Sequence, residues 1–134
     1  MDQIRGVIKN LKRYKQLLSF EGLKFERNIT PTDLDAIIDF ASKEWVLIEY
    51  KTEGNPVLRG QRIAISSLLE HQAKSGIKAL GIIATHNYPS HEIIDGAQCL
   101  VIEVWTQRKG WQQPRQQRTV RETIDFWRDW IGAK

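Results

Sequence analysis

Cysteine is nearly absent from this sequence: Cys99 is the only one among 134 residues. An internal disulfide is therefore excluded, and because Cys99 stands in an apolar run it reads as a buried thiol in a reducing compartment. No stretch of about 18 or more apolar residues occurs, so no membrane-spanning helix is expected. The opening residues, MDQIRGVIKNLKRYKQLL, lack the continuous apolar block and small-residue cleavage site of a secretory signal, and the expected location is cytoplasmic. There is no glycine-rich loop ending in Gly-Lys-Ser/Thr and no Gly-x-Ser-x-Gly elbow, which argues against ATP-driven chemistry and a serine hydrolase. His71, His86 and His91 lack zinc-ligand spacing, and the one cysteine lies in a strand-like run, so a zinc site is not expected. Internal repeats and low-complexity linkers are missing too.

What remains is ordinary globular composition, 41% apolar and 27% charged. The length fits one domain spanning 1–134, large enough to bury a core without staples. The formal charge of +4 permits a nucleic-acid partner without demanding one.

Residues 4–20 carry Ile4, Val7, Ile8, Leu11, Tyr14, Leu17 and Leu18 at helical spacings, with Gly22 as a stop. Residues 24–29 alternate weakly and predict a strand. DAIIDF (35–40) and WVLIEYK (45–51) predict an antiparallel hairpin across residues 41–44. Residues 60–74 predict a helix with Ile63, Ala64, Leu68 and Leu69 among its apolar positions and Gly76 as its stop. IKALGIIAT (77–85) and AQCLVIEVW (97–105) predict buried strands. Residues 120–131 predict a last helix, with Val120, Ile124, Trp127 and Ile131 on one face. The expected class is α/β: a mixed central β-sheet flanked by helices, with a crossover between parallel strands.

The hairpin concentrates charge where a strand otherwise reads as sheet interior. With the turn near Ser42, Asp35 lies opposite Glu49 and Asp33 opposite Lys51, and alternation puts all four on one face. A register error of one residue would turn one set away. Crowded carboxylates repel unless a cation joins them, and oxygen ligands suit Mg²⁺, which takes one or two carboxylates and keeps several waters. A lysine beside such an ion can orient a water or steady charge developing on a phosphate. Metal, water and ammonium together are equipment for phosphodiester hydrolysis. The plainer alternative is a surface ion pair at a hairpin end.

ITPTDLDAIIDF followed by WVLIEYK resembles the PD-(D/E)XK nuclease superfamily, whose pattern is an acidic residue at the start of one strand, Glu-x-Lys on the next, then a helix. GQRIAISSLLEH resembles the helix start of its small phage and resolvase-like branch. The sequence departs from the pattern's Pro-Asp step, since Thr32 separates Pro31 from Asp33. The resemblance implies a restriction-endonuclease-like αβββαβ core and a Mg²⁺- or Mn²⁺-dependent DNA endonuclease. Asp35, Glu49 and the Tyr50 backbone carbonyl would be metal ligands, with Asp33 the competing or additional one. Lys51 would assist the attacking water, and Gln61 would position the lysine, the water or the phosphate. It also implies nicking, or structure-selective cutting of branched DNA by a two-fold dimer. The alternative is a catalytically inactive nucleic-acid or protein binding module of the same fold.

TQRKGWQQPRQQRTVR (106–121) contains Arg108, Lys109, Arg115, Arg118 and Arg121 and no acid. It could follow a phosphate backbone or be a solvated loop. Lys9, Lys12 and Arg13 on the first predicted helix are further DNA-contact candidates. Trp127 reads as core, Trp130 as either core or base-stacking. His86, just after a strand, could approach a site at the sheet end or be a loop residue.

Overall fold

A computed structural model describes residues 19, 21–29, 31 and 34–133. The chain divides into two compact units, 1–31 and 32–134. In the first, the described residues form two 3₁₀ turns, Glu21–Leu23 and Glu26–Asn28, with a bridge between Phe25 and Ile29. The strand expected over 24–29 is not there. Arg27 (φ 61°) and Asn28 (φ 62°) lie in the left-handed region, which an extended strand cannot accommodate. The helix expected over 4–20 lies outside the described residues, as do Lys9, Lys12, Arg13 and Asp33.

The second unit is an α/β fold. Five strands, β1 (Ala36–Phe40), β2 (Glu44–Thr52), β3 (Lys78–His86), β4 (Leu100–Thr106) and β5 (Gly110–Gln112), form one sheet in the order β1-β2-β3-β4-β5. Only the β2–β3 pair is parallel. The helix α1 (Arg59–Lys74) makes the crossover between them, and α2 (Val120–Trp130) closes the chain. Among the described residues, two strands rather than three precede α1.

The helices cover opposite faces. Leu47, Ala79 and Trp105 pack with Ile65 and Leu69 of α1. Val46, Ile48, Leu80, Ile82 and Ala84 pack with Val120, Ile124 and Trp127 of α2. Central strands buried on both sides read as continuous apolar runs, which is why β2 and β3 stood out in the sequence. In α1 the buried residues are Ile65 and Leu69, and Ile63 is exposed. Gly76 ends α1 with φ 91°, a conformation that glycine adopts without steric cost. Thr119 and Glu122 form a reciprocal capping box at the start of α2, satisfying two of its orphan backbone donors. Trp127 is core, while Trp130 is exposed. Buried Glu44 is paired with Arg128 (3.3 Å), which also lies over the Phe40 ring, so α2 is tied to the hairpin. Among the described residues no helix is long and apolar enough to cross a membrane.

The hairpin turn places Ala41 (φ 55°) and Ser42 (φ 61°) in the left-handed region, with the Lys43 N–H donating to the Phe40 carbonyl (3.0 Å). That is type I′ geometry, whose twist matches the flanking strands. Asp39 supports it by accepting from the Ser42 N–H (2.6 Å). The register runs from Phe40↔Glu44 to Ala36↔Ile48. Continued by one residue, it sets Asp35 across from Glu49.

Candidate metal centre

Asp35, Glu49, Lys51 and Gln61 come together at one end of the sheet. Glu49 and Lys51 occupy alternate positions near the carboxyl end of β2, on the face that Leu47 turns toward α1. Asp35 immediately precedes β1, and Gln61 sits in the first turn of α1. The short passage from β2 through Gly54 (φ 88°) into α1 is what brings Gln61 back over the strand it has just left.

Glu49 is buried, with 4% of its surface exposed, which is rare for a carboxylate without partners. Its pKa is pushed up to about 7. Burial is the largest cause. The Asp35 carboxyl adds to it, both as hydrogen-bond partner of the protonated acid and as a like charge; the Lys51 ammonium and the Gln61 amide act in the opposite direction. Lys51 Nζ lies 3.7 Å from Glu49 Oε1, within ion-pair range but longer than a hydrogen bond. Two buried oxygens in this cluster, Glu49 Oε2 and Gln61 Oε1, have no hydrogen-bond partner. Buried polar atoms are nearly always satisfied, so such a pair calls for a partner.

Asp35 is held from the backbone side: its Oδ2 accepts from the Tyr50 N–H at 2.7 Å. Tyr50 is itself anchored, its hydroxyl donating to the Gly96 carbonyl (3.2 Å). A Cβ at position 96 would sit 2.7 Å from that hydroxyl, so the contact depends on glycine. Burial pushes the Tyr50 phenol up to about 12, and neighbouring Cys99, Asp35 and Asp95 act in the same direction. Cys99 is buried, as its apolar setting suggested.

The donor set suits a hard cation. Two carboxylates, one with an unpartnered buried oxygen, an unpartnered amide oxygen and a strand carbonyl are all oxygen ligands of the kind Mg²⁺ prefers. Among the described residues no group of three or more His, Cys, Asp or Glu side chains gathers that could hold a metal ion, and this cluster too supplies only two carboxylates.

The basic segment 106–121 is not one stripe. β5 interrupts it, and the sequence hid this strand because Gly110–Gln112 is short and lies among polar residues. Thr106 pairs with Leu80 and Leu100 with Thr85, while Thr85 pairs with Lys51. The turn bearing exposed Arg108 and Lys109 therefore stands at the end of the sheet away from Glu49 and Lys51. Arg118, whose carbonyl accepts from the Val101 N–H, stands nearer the site end at the opposite edge. Its guanidinium lies 4.3 Å from the Phe126 ring centroid. Exposed Arg121 is paired with Asp125 (3.0 Å) within α2.

Two neighbours of the site were undervalued in the sequence. Arg62, one position after Gln61, makes a two-pronged ion pair with Glu103 of β4 and so fixes the first turn of α1 to the sheet. His86 is the last residue of β3, paired with Thr52, and lines a cleft with Asp35 and Tyr50. Continuing the apolar alternation of IKALGIIAT by one residue would have set it at the same end as Lys51. Compared with family models, curated proteins and solved structures, the chain has no match.

Proposed function

We propose that this protein is a metal-dependent nuclease that hydrolyses phosphodiester bonds in DNA. The observation that carries this reading is the convergence of Asp35, Glu49, Lys51 and Gln61 around two buried, unpartnered oxygens at the sheet end. Glu49 is buried beside the exposed Asp35 carboxylate, and a buried carboxylate next to a like charge costs stability unless a cation or a proton joins them.

In this reading Asp35, Glu49 and the Tyr50 carbonyl hold the ion, and the Tyr50 N–H orients Asp35 for that purpose. Mg²⁺ or Mn²⁺, when bound, lowers the pKa of a coordinated water and offsets negative charge on the phosphate. Lys51 donates to the attacking water and to the phosphate oxygen that gains charge. Gln61 positions that water from the first turn of α1. Hydrolysis forms a bond from the water oxygen to phosphorus and breaks the bond from phosphorus to the leaving sugar oxygen. Nicking, paired cutting by a dimer and selectivity for branched DNA all belong to this proposal.

Supercoiled-plasmid relaxation in Mg²⁺ or Mn²⁺ tests it. The native chain should nick, and Glu49→Ala and Lys51→Ala should each slow the reaction by about a hundredfold or more. Failure of the native chain to cut supercoiled, linear or branched DNA in either ion overturns the proposal in favour of a binding module. Equal cutting by both variants overturns the residue assignment.

A further inference from the structure

The carboxyl ends of adjacent parallel strands are where open α/β sheets receive ligands. Here β2 and β3 end together, at Thr52 and His86. Beside them lies an open cleft of about 360 Å³ lined by Asp35, Tyr50, His86, Ile94 and Gly96. That volume falls at the lower end of small-ligand pockets, roughly 300–1,000 Å³, and suits a unit the size of one nucleotide.

The lining has two chemical halves. Tyr50 and the partly exposed Ile94 offer apolar surface, and the Tyr50 anchor to Gly96 keeps the cleft's shape. His86 offers a defined donor. Its Nδ1 accepts from the Tyr88 backbone N–H (3.3 Å), so in the neutral ring the proton resides on Nε2. The His86 carbonyl accepts from the Glu53 N–H (2.7 Å), which fixes the residue at the strand end. Asp35 is the one carboxylate in the lining, and it also belongs to the cluster around Glu49. Tyr50 and His86 lie on the sheet face toward α2 and Lys51 on the face toward α1, and Asp35 at the strand end borders both. A strand with one phosphate at Lys51 thus passes round the sheet end beside Asp35 to set its following sugar and base in the cleft.

We infer that this cleft binds the nucleotide adjoining the scissile phosphate, with sugar and base against Tyr50 and Ile94 and a phosphate oxygen accepting from His86 Nε2–H. The assignment rests on the nuclease reading. His86 touches substrate and not the metal, so it governs strand affinity and leaves ion affinity alone.

Binding of a fluorescein-labelled deoxyhexanucleotide, followed by anisotropy in Ca²⁺, tests this apart from cleavage. Ile94→Trp fills the cleft from an exposed loop position, and His86→Ala removes the donor. Each should weaken binding by about tenfold, the scale of a lost hydrogen bond to a charged group. His86→Gln, which restores an N–H, should recover part of the loss. Mn²⁺ affinity of the protein alone should be the same in all of them. Native-like binding by both Ile94→Trp and His86→Ala, no binding by the native chain, or a parallel fall in Mn²⁺ affinity overturns the inference. Plasmid nicking separates the two claims. Cutting by the native chain with unchanged binding by both variants removes the cleft assignment alone. Weakened binding by both without any native cutting removes the nuclease reading and leaves a strand-binding cleft.

Discussion

At the scale of single residues, Glu49 decides how the protein responds to pH. Its ordinary value is 4.5, and in the fold it is pushed up to about 7, chiefly by burial and then by Asp35. Below 4.5 both folded and unfolded chains hold the proton. Between 4.5 and about 7 the folded chain keeps it while the unfolded chain releases it, so stability falls as pH rises through that window and stays lower above it. Glu49→Gln removes this dependence. At about pH 8 the variant should be more stable than the native chain by about 1–3 kcal/mol, measured by urea unfolding, with the gain disappearing at about pH 4. A variant less stable than native at the higher pH would show that the buried carboxylate is already offset by Lys51. The meeting of Asp35, Glu49 and Lys51 was legible in the sequence because charged residues at the end of an apolar strand are conspicuous. The unpartnered oxygens were not, since they depend on how the first turn of α1 closes over β2, which no local pattern encodes.

At the scale of elements, sequence and structure agree where one physical signal dominates. The hairpin itself followed from the loop length and the strand-like runs on either side, whereas its register was conditional on a turn near Ser42, and the turn uses Ala41 and Ser42 in a conformation usually given to Gly or Asn. Residues 24–29 misled because their alternation is weak and the backbone takes local 3₁₀ turns instead. An apolar residue on a helix need not face the core: in α1 Ile65 and Leu69 are buried and Ile63 is exposed. Gly81 tests how tightly α1 is seated. A Cβ there would meet Leu69 Cδ1 at 2.7 Å and Trp105 Cβ at 3.0 Å, so Gly81→Ala should destabilise by about 1–3 kcal/mol in urea unfolding. At the other helix, Thr119→Ala breaks the capping box of α2 and should cost about 1 kcal/mol without changing Mn²⁺ affinity, because α2 covers the face opposite Gln61.

At the scale of the whole molecule, a net charge of +4 matters less than where the positive charges stand. Thr106 and Leu100 mark the two ends of β4, about 20 Å apart at the usual strand rise. That separation exceeds the screening length of about 8 Å at physiological salt, so Arg108 and Lys109 have little electrostatic influence on a short strand held near Lys51. Arg118, whose carbonyl accepts from the Val101 N–H, stands closer to the site end, and Arg115 lies in the loop that leads to it from Gln112. Each phosphate that a basic residue neutralises releases counterions and adds about 0.7 to the slope of log affinity against log salt for a single strand. Replacing Arg115 and Arg118 together by alanine should therefore lower that slope for the deoxyhexanucleotide by about 1.4 and weaken binding most at low salt. The paired replacement of Arg108 and Lys109 should leave the slope where it was. The opposite ranking would mean that the strand runs toward the β4–β5 turn and not across the carboxyl ends of β2 and β3, moving the nucleic-acid face to the far end of the sheet.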